Sequence, residues 1–182
     1  AGLSDETYTY DANGNRVSSS LHGNGYITGV NNRLLSDGTY NYAYDGEGNL
    51  VRRIEIATGA YREFTWDYRN RLVAVVDKTV VNVETQRVEF RYDALNRRIA
   101  KAVDTTPLDA VDAVVEHYLY DRQDVLLDFV DADGSGAAAA ILTRRYLHGP
   151  AIDQVLAQDD DAASVHWHLS DHLGTIRELV SD

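Results

Sequence analysis

The chain has no cysteine and no methionine, and only two prolines and three phenylalanines among its 182 residues. Without cysteine there is no disulfide framework, no thiolate nucleophile and no cysteine zinc site. Basic residues are outnumbered: 17 Lys and Arg against 29 Asp and Glu leave a formal net charge of −12. A nucleic-acid surface needs clustered Lys and Arg, and so does adhesion to an anionic membrane, so the charge argues against both. The acidity instead fits an extended β-surface kept soluble by its charge. No window approaches the roughly 18 apolar residues of a membrane span, and no charged-then-apolar leader opens the chain. The absence of methionine at position 1 leads to the expectation of a chain cut from something longer. Enzyme signatures are also missing. There is no G-x-S-x-G elbow and no G-x-x-x-x-G-K-[ST] phosphate loop, and the run Asp159–Asp161 reads as a solvated turn.

What is present is a phrase written about six times: "YTYDANGNRVS" from Tyr8, "YAYDGEGNLVR" from Tyr42, "FTWDYRNRLVA" from Phe64, "FRYDALNRRIA" from Phe90, "YLYDRQDVLLD" from Tyr118, and an altered copy in "HWHLSDHLGTIREL" from His166. Such self-similarity marks a structural unit. The phrases align on Asp11, Asp45, Asp67, Asp93, Asp121 and Asp171. Three residues after each stands Gly14, Gly48, Asn70, Asn96, Asp124 or Gly174. Asp favours the first position of a type I turn, and Gly, Asn and Asp tolerate a left-handed backbone. A type I turn followed by one left-handed residue is the three-residue hairpin loop with a bulge. The paired aromatics Tyr8/Tyr10, Tyr42/Tyr44, Phe64/Trp66, Phe90/Tyr92 and Tyr118/Tyr120 are two apart, which puts both rings on one face of a strand. Aliphatic residues follow each turn at Val17, Val51, Val73, Ile99 and Leu127, with Arg177 in the sixth copy.

The segments between phrases also alternate or run apolar as strands do. The long gap between Asp121 and Asp171 reads as two further strand pairs, the first turned at Asp133–Gly134 or Gly134–Ser135 and the second at Asp159 to Ala163. The stretch from Thr106 is the best candidate for a short helical turn, with a loop as the alternative. The expected fold is therefore all-β: consecutive antiparallel hairpins in a curled or spiralling sheet. Residues 1–130 are expected to form the hairpins and residues 131–182 a terminal segment continuous with the same sheet.

The Tyr–Asp dipeptides at 10–11, 44–45, 92–93 and 120–121, with Trp66–Asp67 as a substituted copy, resemble the RHS/YD-repeat family. "RRYLHGPAIDQVLA" from Arg144 and "HLSDHLGTIRELVSD" from His168 are similar to the signature near the end of the RHS core. The resemblance implies a β-sheet that spirals into a hollow shell. In bacterial members, including the C components of Tc toxins, that shell encloses a C-terminal toxin, and teneurins use a similar shell in cell-surface adhesion. Bacterial members often carry a releasing protease-like segment around a "DPxGL" motif, which no residue here matches. Six or seven hairpins are too few to enclose a cargo alone.

Two readings follow. The first is a non-enzymatic wall segment of an extracellular or cell-surface shell, partnered by neighbouring repeats and, in the full-length protein, by an enclosed toxin cargo. The alternative is a processed unit that pairs with copies of itself in a filament, or an adhesin binding surface glycans or proteins through its twelve tyrosines. No cofactor, nucleic acid or membrane insertion is expected. The densest cluster of potential metal ligands is His166, His168, His172 and Asp171, but His166 and His168 read as aromatics of the repeat and Asp171 as its turn residue. "DADGSG" from Asp131 starts like a calcium loop, yet position 12 is Leu142 where an EF-hand needs Glu.

Overall fold

The computed structural model describes residues 5–109, 113–134, 138–151, 154–160, 164–171 and 174–181. The strands fall into two units, one ending at Arg87 and one beginning at Val88. The first contains β1 (Tyr8–Tyr10), β2 (Arg16–Ser19), β3 (Tyr26–Thr28), β4 (Leu34–Asp37), β5 (Tyr40–Tyr44), β6 (Leu50–Glu55), β7 (Tyr61–Trp66) and β8 (Leu72–Lys78). The second contains β10 (Arg98–Asp104), β11 (Val114–Asp121), β12 (Asp124–Asp131), β13 (Ile141–His148), β14 (Val155–Asp160), β15 (Ser164–Ser170) and β16 (Ile176–Ser181), and the boundary falls inside β9 (Glu84–Tyr92). β1 and β2 form a two-stranded ribbon. From β3 to β16 the hydrogen-bonded order is the order of the sequence, fourteen antiparallel strands without a crossover.

Each quoted phrase is one hairpin, and the structure adds two that the alignment on Asp misses. Gly29 stands in the Asp position between β3 and β4, and Gly149 stands there between β13 and β14. They divide the two longest gaps in the repeat, giving eight hairpins of the repeat type among the described residues rather than six or seven. The register slips next to the turn in seven of these hairpins, between Thr9 and Tyr10, Ile27 and Thr28, Ala43 and Tyr44, Thr65 and Trp66, Leu119 and Tyr120, Leu147 and His148, and Leu169 and Ser170. The unpaired residue on the returning strand is Val17, Leu35, Val51, Val73, Leu126, Leu156 or Arg177. The aliphatic residues after the turn are thus mostly bulge residues, which bend the strand and increase its twist. Thr106 accepts a bond from the Asp109 N–H at 3.0 Å in a turn, and the chain is extended again at β11. The sole helical turn among the described residues is the short 3-10 turn Val30–Asn32.

Neither unit has a thick core. The buried hydrophobic residues are Val76 in the first and Ala100, Val115 and Ala157 in the second, and no large side chain is fully buried among the described residues. The chain exposes 12182 Å². A compact domain of 20.3 kDa exposes about 8,800 Å², and two compact halves about 10,600 Å². Cohesion within each unit comes from ladder hydrogen bonds and cross-strand pairs. Arg62 holds Asp77 with two bonds of 2.6 Å, Lys78 holds Glu63 at 2.8 Å, and Arg53 stacks on Tyr40 at 4.5 Å. Pairs this exposed contribute only tenths of a kcal/mol up to about 1 kcal/mol each.

Candidate functional site

The turn of each phrase is built around its aspartate. In the first, the Asp11 N–H donates to the Asn15 carbonyl at 2.9 Å and the Gly14 N–H to the Asp11 carbonyl at 3.1 Å, a type I turn closed by a left-handed residue. The φ angles at Gly14, Gly48, Asn70, Asn96 and Gly174 are 83°, 98°, 56°, 67° and 80°. The carboxylate takes a second set of bonds. Asp45 Oδ1 accepts the N–H groups of Gly48 and Asn49, both at 2.8 Å, and Oδ2 accepts the Asn49 side chain at 3.0 Å. Asp11 is gripped in the same way by Asn15, Asp67 by Arg71 at 2.7 Å, Asp93 by Arg97 at 2.7 Å, and Asp171 by Arg177 at 2.8 Å. These bonds hold the Asp11, Asp45, Asp67 and Asp93 carboxyls below the usual carboxylate range. At Asp11 the Asn15 side chain is the largest cause; at the other three, burial opposes the shift and the side-chain and backbone donors outweigh it.

The fifth phrase departs from this geometry. Asp121 pairs directly with Asp124, so the loop is only Arg122–Gln123, and the left-handed residue is Arg122 at φ 54°. Asp124 is therefore a strand residue and not the left-handed turn residue that the alignment assigns. The residue four after Asp121 is Val125, whose side chain has no donor for a carboxylate.

The side chains that grip the aspartates also link hairpins. The Asn15 amide donates to Asn32 Oδ1 at 3.2 Å, Asn49 to Asn70 Oδ1 at 2.9 Å, and the Arg97 guanidinium reaches the Arg122 carbonyl. Each acceptor residue has positive φ in the next turn. The second aromatic of the phrase makes a parallel link. Tyr44 Oη donates to the Leu34 carbonyl at 2.9 Å, Trp66 Nε1 to Leu50 at 2.8 Å, Tyr120 Oη to Arg98 at 2.8 Å, and His148 Nε2 contacts the Val125 carbonyl at 2.7 Å. The sequence carries a signal for this: the second position holds Tyr, Trp or His in these copies, all ring donors, while Phe64 and Phe90 stand at the first position.

The potential metal ligands do not converge. His166 Nε2 lies 3.4 Å from Asp160, His168 Nε2 lies 3.3 Å from Gln158, and Asp171 is held by Arg177 and the Thr175 N–H. His172 lies outside the described residues, and no group of three metal-ligating side chains occurs among the described ones. Of the two histidines, only His168 stands in an aromatic position of the repeat; the other position is Ser170, and His166 precedes both. Asp131 Oδ1 accepts the Asp133 and Gly134 N–H groups, at 3.3 and 3.0 Å, and turns the chain after β12.

A different cluster in the second unit went unread in the sequence. Tyr118, Val125, Asp128, Tyr146, His148 and Val155 line a cavity of about 260 Å³. Asp128 is 8% exposed and accepts the Tyr146 hydroxyl at 2.7 Å on Oδ2, with Arg144 3.9 Å away. Burial pushes the Asp128 carboxyl above its ordinary range, against the opposing Tyr146 and Arg144. Burial likewise raises the Tyr118 and Tyr146 phenols, aided by the Glu116 and Asp128 carboxylates that their hydroxyls face. The one hint in the sequence is an aspartate inside the apolar run "VLLDFVD".

Comparison with known proteins agrees with the hairpin architecture. Over 97 residues the chain is 38% identical to Double-stranded DNA deaminase toxin A of Burkholderia cenocepacia (strain H111), spanning 53% of this chain and 6% of that protein. Over 133 residues it is 30% identical to Toxin protein Tse5 of Pseudomonas aeruginosa, spanning 57% of this chain and 10% of that one. The chain thus covers a tenth or less of these relatives. The crystal structure of TcdB2-TccC3-TEV superposes with a TM-score of 0.51 at 13% identity, over 97% of this chain and 9% of that one, which shows a shared fold. The Teneurin YD-shell family matches residues 1–131, well over half the chain, with the Tyr–Asp turns described above inside the match. The chain belongs to the teneurin YD-shell family.

Proposed function

We propose that this chain is a stretch of wall in an extracellular shell, part of a larger protein that encloses a toxin cargo. As a YD-shell segment it is a structural element. The observation that supports the wall reading best is the thinness of both units: each is a sheet with almost no buried hydrophobic residues and an excess of exposed surface. Such a sheet is completed by what lies beyond its faces and edges, namely neighbouring repeats and contents. The relatives named as toxins match over a small fraction of their length, and this reading assigns their toxic chemistry to other parts of such proteins. The strands β13 to β16 continue the hairpin pattern, and on this reading residues 131–182 form the terminal part of the wall.

Electron microscopy of the intact parent protein tests this reading. The expected result is a closed hollow particle with these hairpins in its wall and density inside, recovered from the culture supernatant or the cell surface. A parent in which these hairpins enclose no cavity, or one retained in the cytoplasm, would refute it.

A further inference from the structure

Tyr42 on β5, Arg53 on β6, Arg62 on β7 and Asp77 on β8 pair in register, so their four side chains share one face of the sheet in the first unit. Two arginines thus stand directly opposite each other, which costs stability unless their charges are met. Asp77 meets one of them: its two oxygens take Arg62 Nε and Nη2, both at 2.6 Å. Arg53 has no such partner. Its guanidinium lies 4.5 Å from the Tyr40 ring centroid and makes no hydrogen bond or ion pair among the described residues. A guanidinium over a ring uses its face, so its five N–H groups still radiate from the edge.

Tyr40 connects the two arginines. Its ring stacks on Arg53. Its hydroxyl lies near enough to Arg62 to help hold that guanidinium above its ordinary pKa, an effect of which Asp77 is the largest cause. The hydroxyl makes no hydrogen bond among the described residues, and neither does Arg62 Nη1. Tyr40, Arg53 and Arg62 line one cavity of about 310 Å³, with Glu55, Asp77 and Thr85 among its other walls. None of the three residues has a side-chain nitrogen or oxygen that is both buried and unbonded, so every open donor is in reach of solvent. The acceptors around them are engaged. Asp77 spends both oxygens on Arg62, its carbonyl takes the Thr85 hydroxyl at 3.2 Å, and Glu55 Oε2 takes the Thr58 hydroxyl. The cavity therefore presents donors that lack acceptors, in a chain whose net charge is −12.

We propose that this cavity binds a phosphate-type oxyanion carried by a small molecule, with Arg53 as its main ligand and Arg62 Nη1 and the Tyr40 hydroxyl beside it. The planar fork of arginine matches the oxygens of a phosphate. A carboxylate fits less well: Asp77 shows that a single guanidinium occupies both of its oxygens, whereas the surplus of donors here suits the three terminal oxygens of a phosphate monoester. At about 310 Å³ the cavity equals roughly ten waters' share of the liquid and sits at the lower end of small-molecule sites, which leaves space for a small alcohol part beside the oxyanion. Glu55 on the same wall opposes a second anion, so its charge limits the affinity.

The test is NMR titration of the whole chain at neutral pH and a constant ionic strength of about 0.15 M, where the screening length of about 8 Å damps the repulsion from the chain's distant carboxylates. It follows the Nε–H resonances of Arg53 and Arg62 and the Tyr40 ring. The probes are inorganic phosphate, methyl phosphate, sodium acetate and sodium chloride. Saturable shifts with both phosphates, at least tenfold tighter than with acetate or chloride, are expected. Arg53→Gln should weaken them at least tenfold, Tyr40→Phe, which keeps the ring, at least twofold, and Glu55→Gln should tighten them. Saturation by inorganic phosphate but not by methyl phosphate would keep the oxyanion site and overturn the small-molecule ester as its source. Acetate binding as tightly as phosphate would overturn the phosphate class. No saturable wild-type shift at these residues, an equal response to chloride, or unchanged binding in a folded Arg53→Gln chain would overturn the site itself.

Discussion

Replacing Tyr44 with Phe isolates the link between successive hairpins. The ring stays, and with it the stacking of Arg33 at 5.7 Å; the hydroxyl bond of 2.9 Å to the Leu34 carbonyl is lost. A net intramolecular hydrogen bond is worth about 0.5–1.5 kcal/mol, and both groups here are only partly buried, so a loss of about 1 kcal/mol is expected. With a urea m-value of roughly 2 kcal/mol/M, the midpoint should fall by about 0.5 M at unchanged m. The melting temperature should fall by about 2–4 °C. The assay is urea unfolding followed by the fluorescence of Trp66, which lies in the same unit, in a Trp167→Phe background. The control is Tyr10→Phe. Tyr10 holds the same position in the phrase but is exposed, and its hydroxyl makes no hydrogen bond among the described residues. Its replacement should leave the midpoint within error. Equal effects of the two substitutions would refute the idea that the second aromatic acts as a donor between hairpins.

Four further outcomes are expected. Gly48→Ala, at φ 98°, should destabilise by about 1–2 kcal/mol in urea unfolding, while Gly46→Ala, with open space at its Cβ, should be neutral. The depressed carboxyls of Asp11, Asp45, Asp67 and Asp93 contribute stability that is present above the ordinary carboxylate range and lost as pH falls through their lower folded values; melting scans should show a steep loss below about pH 4. Asp128 has the opposite sign, being raised, so Asp128→Asn should raise the melting temperature at pH 7 and the gain should vanish as pH falls to the ordinary Asp range. Chelator treatment should leave the melting temperature unchanged, since Asp131 and Asp171 are engaged in turns and His168 faces Gln158.

The elements whose physics is local were legible in the order of residues. Asp11, Asp45, Asp67 and Asp93, each followed three residues on by Gly or Asn, specify a turn within five residues of backbone, and aromatics two apart specify a strand face. That pattern was enough for an all-β chain of hairpins and for the family. It hid the copies at Gly29 and Gly149, because glycine turns the chain without the carboxylate that makes the phrase recognisable: the Gly29 N–H bonds the Arg33 carbonyl four residues on, as at the Asp turns, and the Gly149 N–H bonds the Gln154 carbonyl five residues on. It also misplaced Asp124, because the fifth loop closes after two residues and Asp121 pairs directly with Asp124. The remaining features arise from contacts between distant segments. The Tyr44, Trp66 and Tyr120 links span 10 to 22 residues, and the Asp128 cavity takes its walls from four adjacent strands. Such groupings depend on strand register, which a run of residues does not display and which hydrogen bonding between distant segments sets.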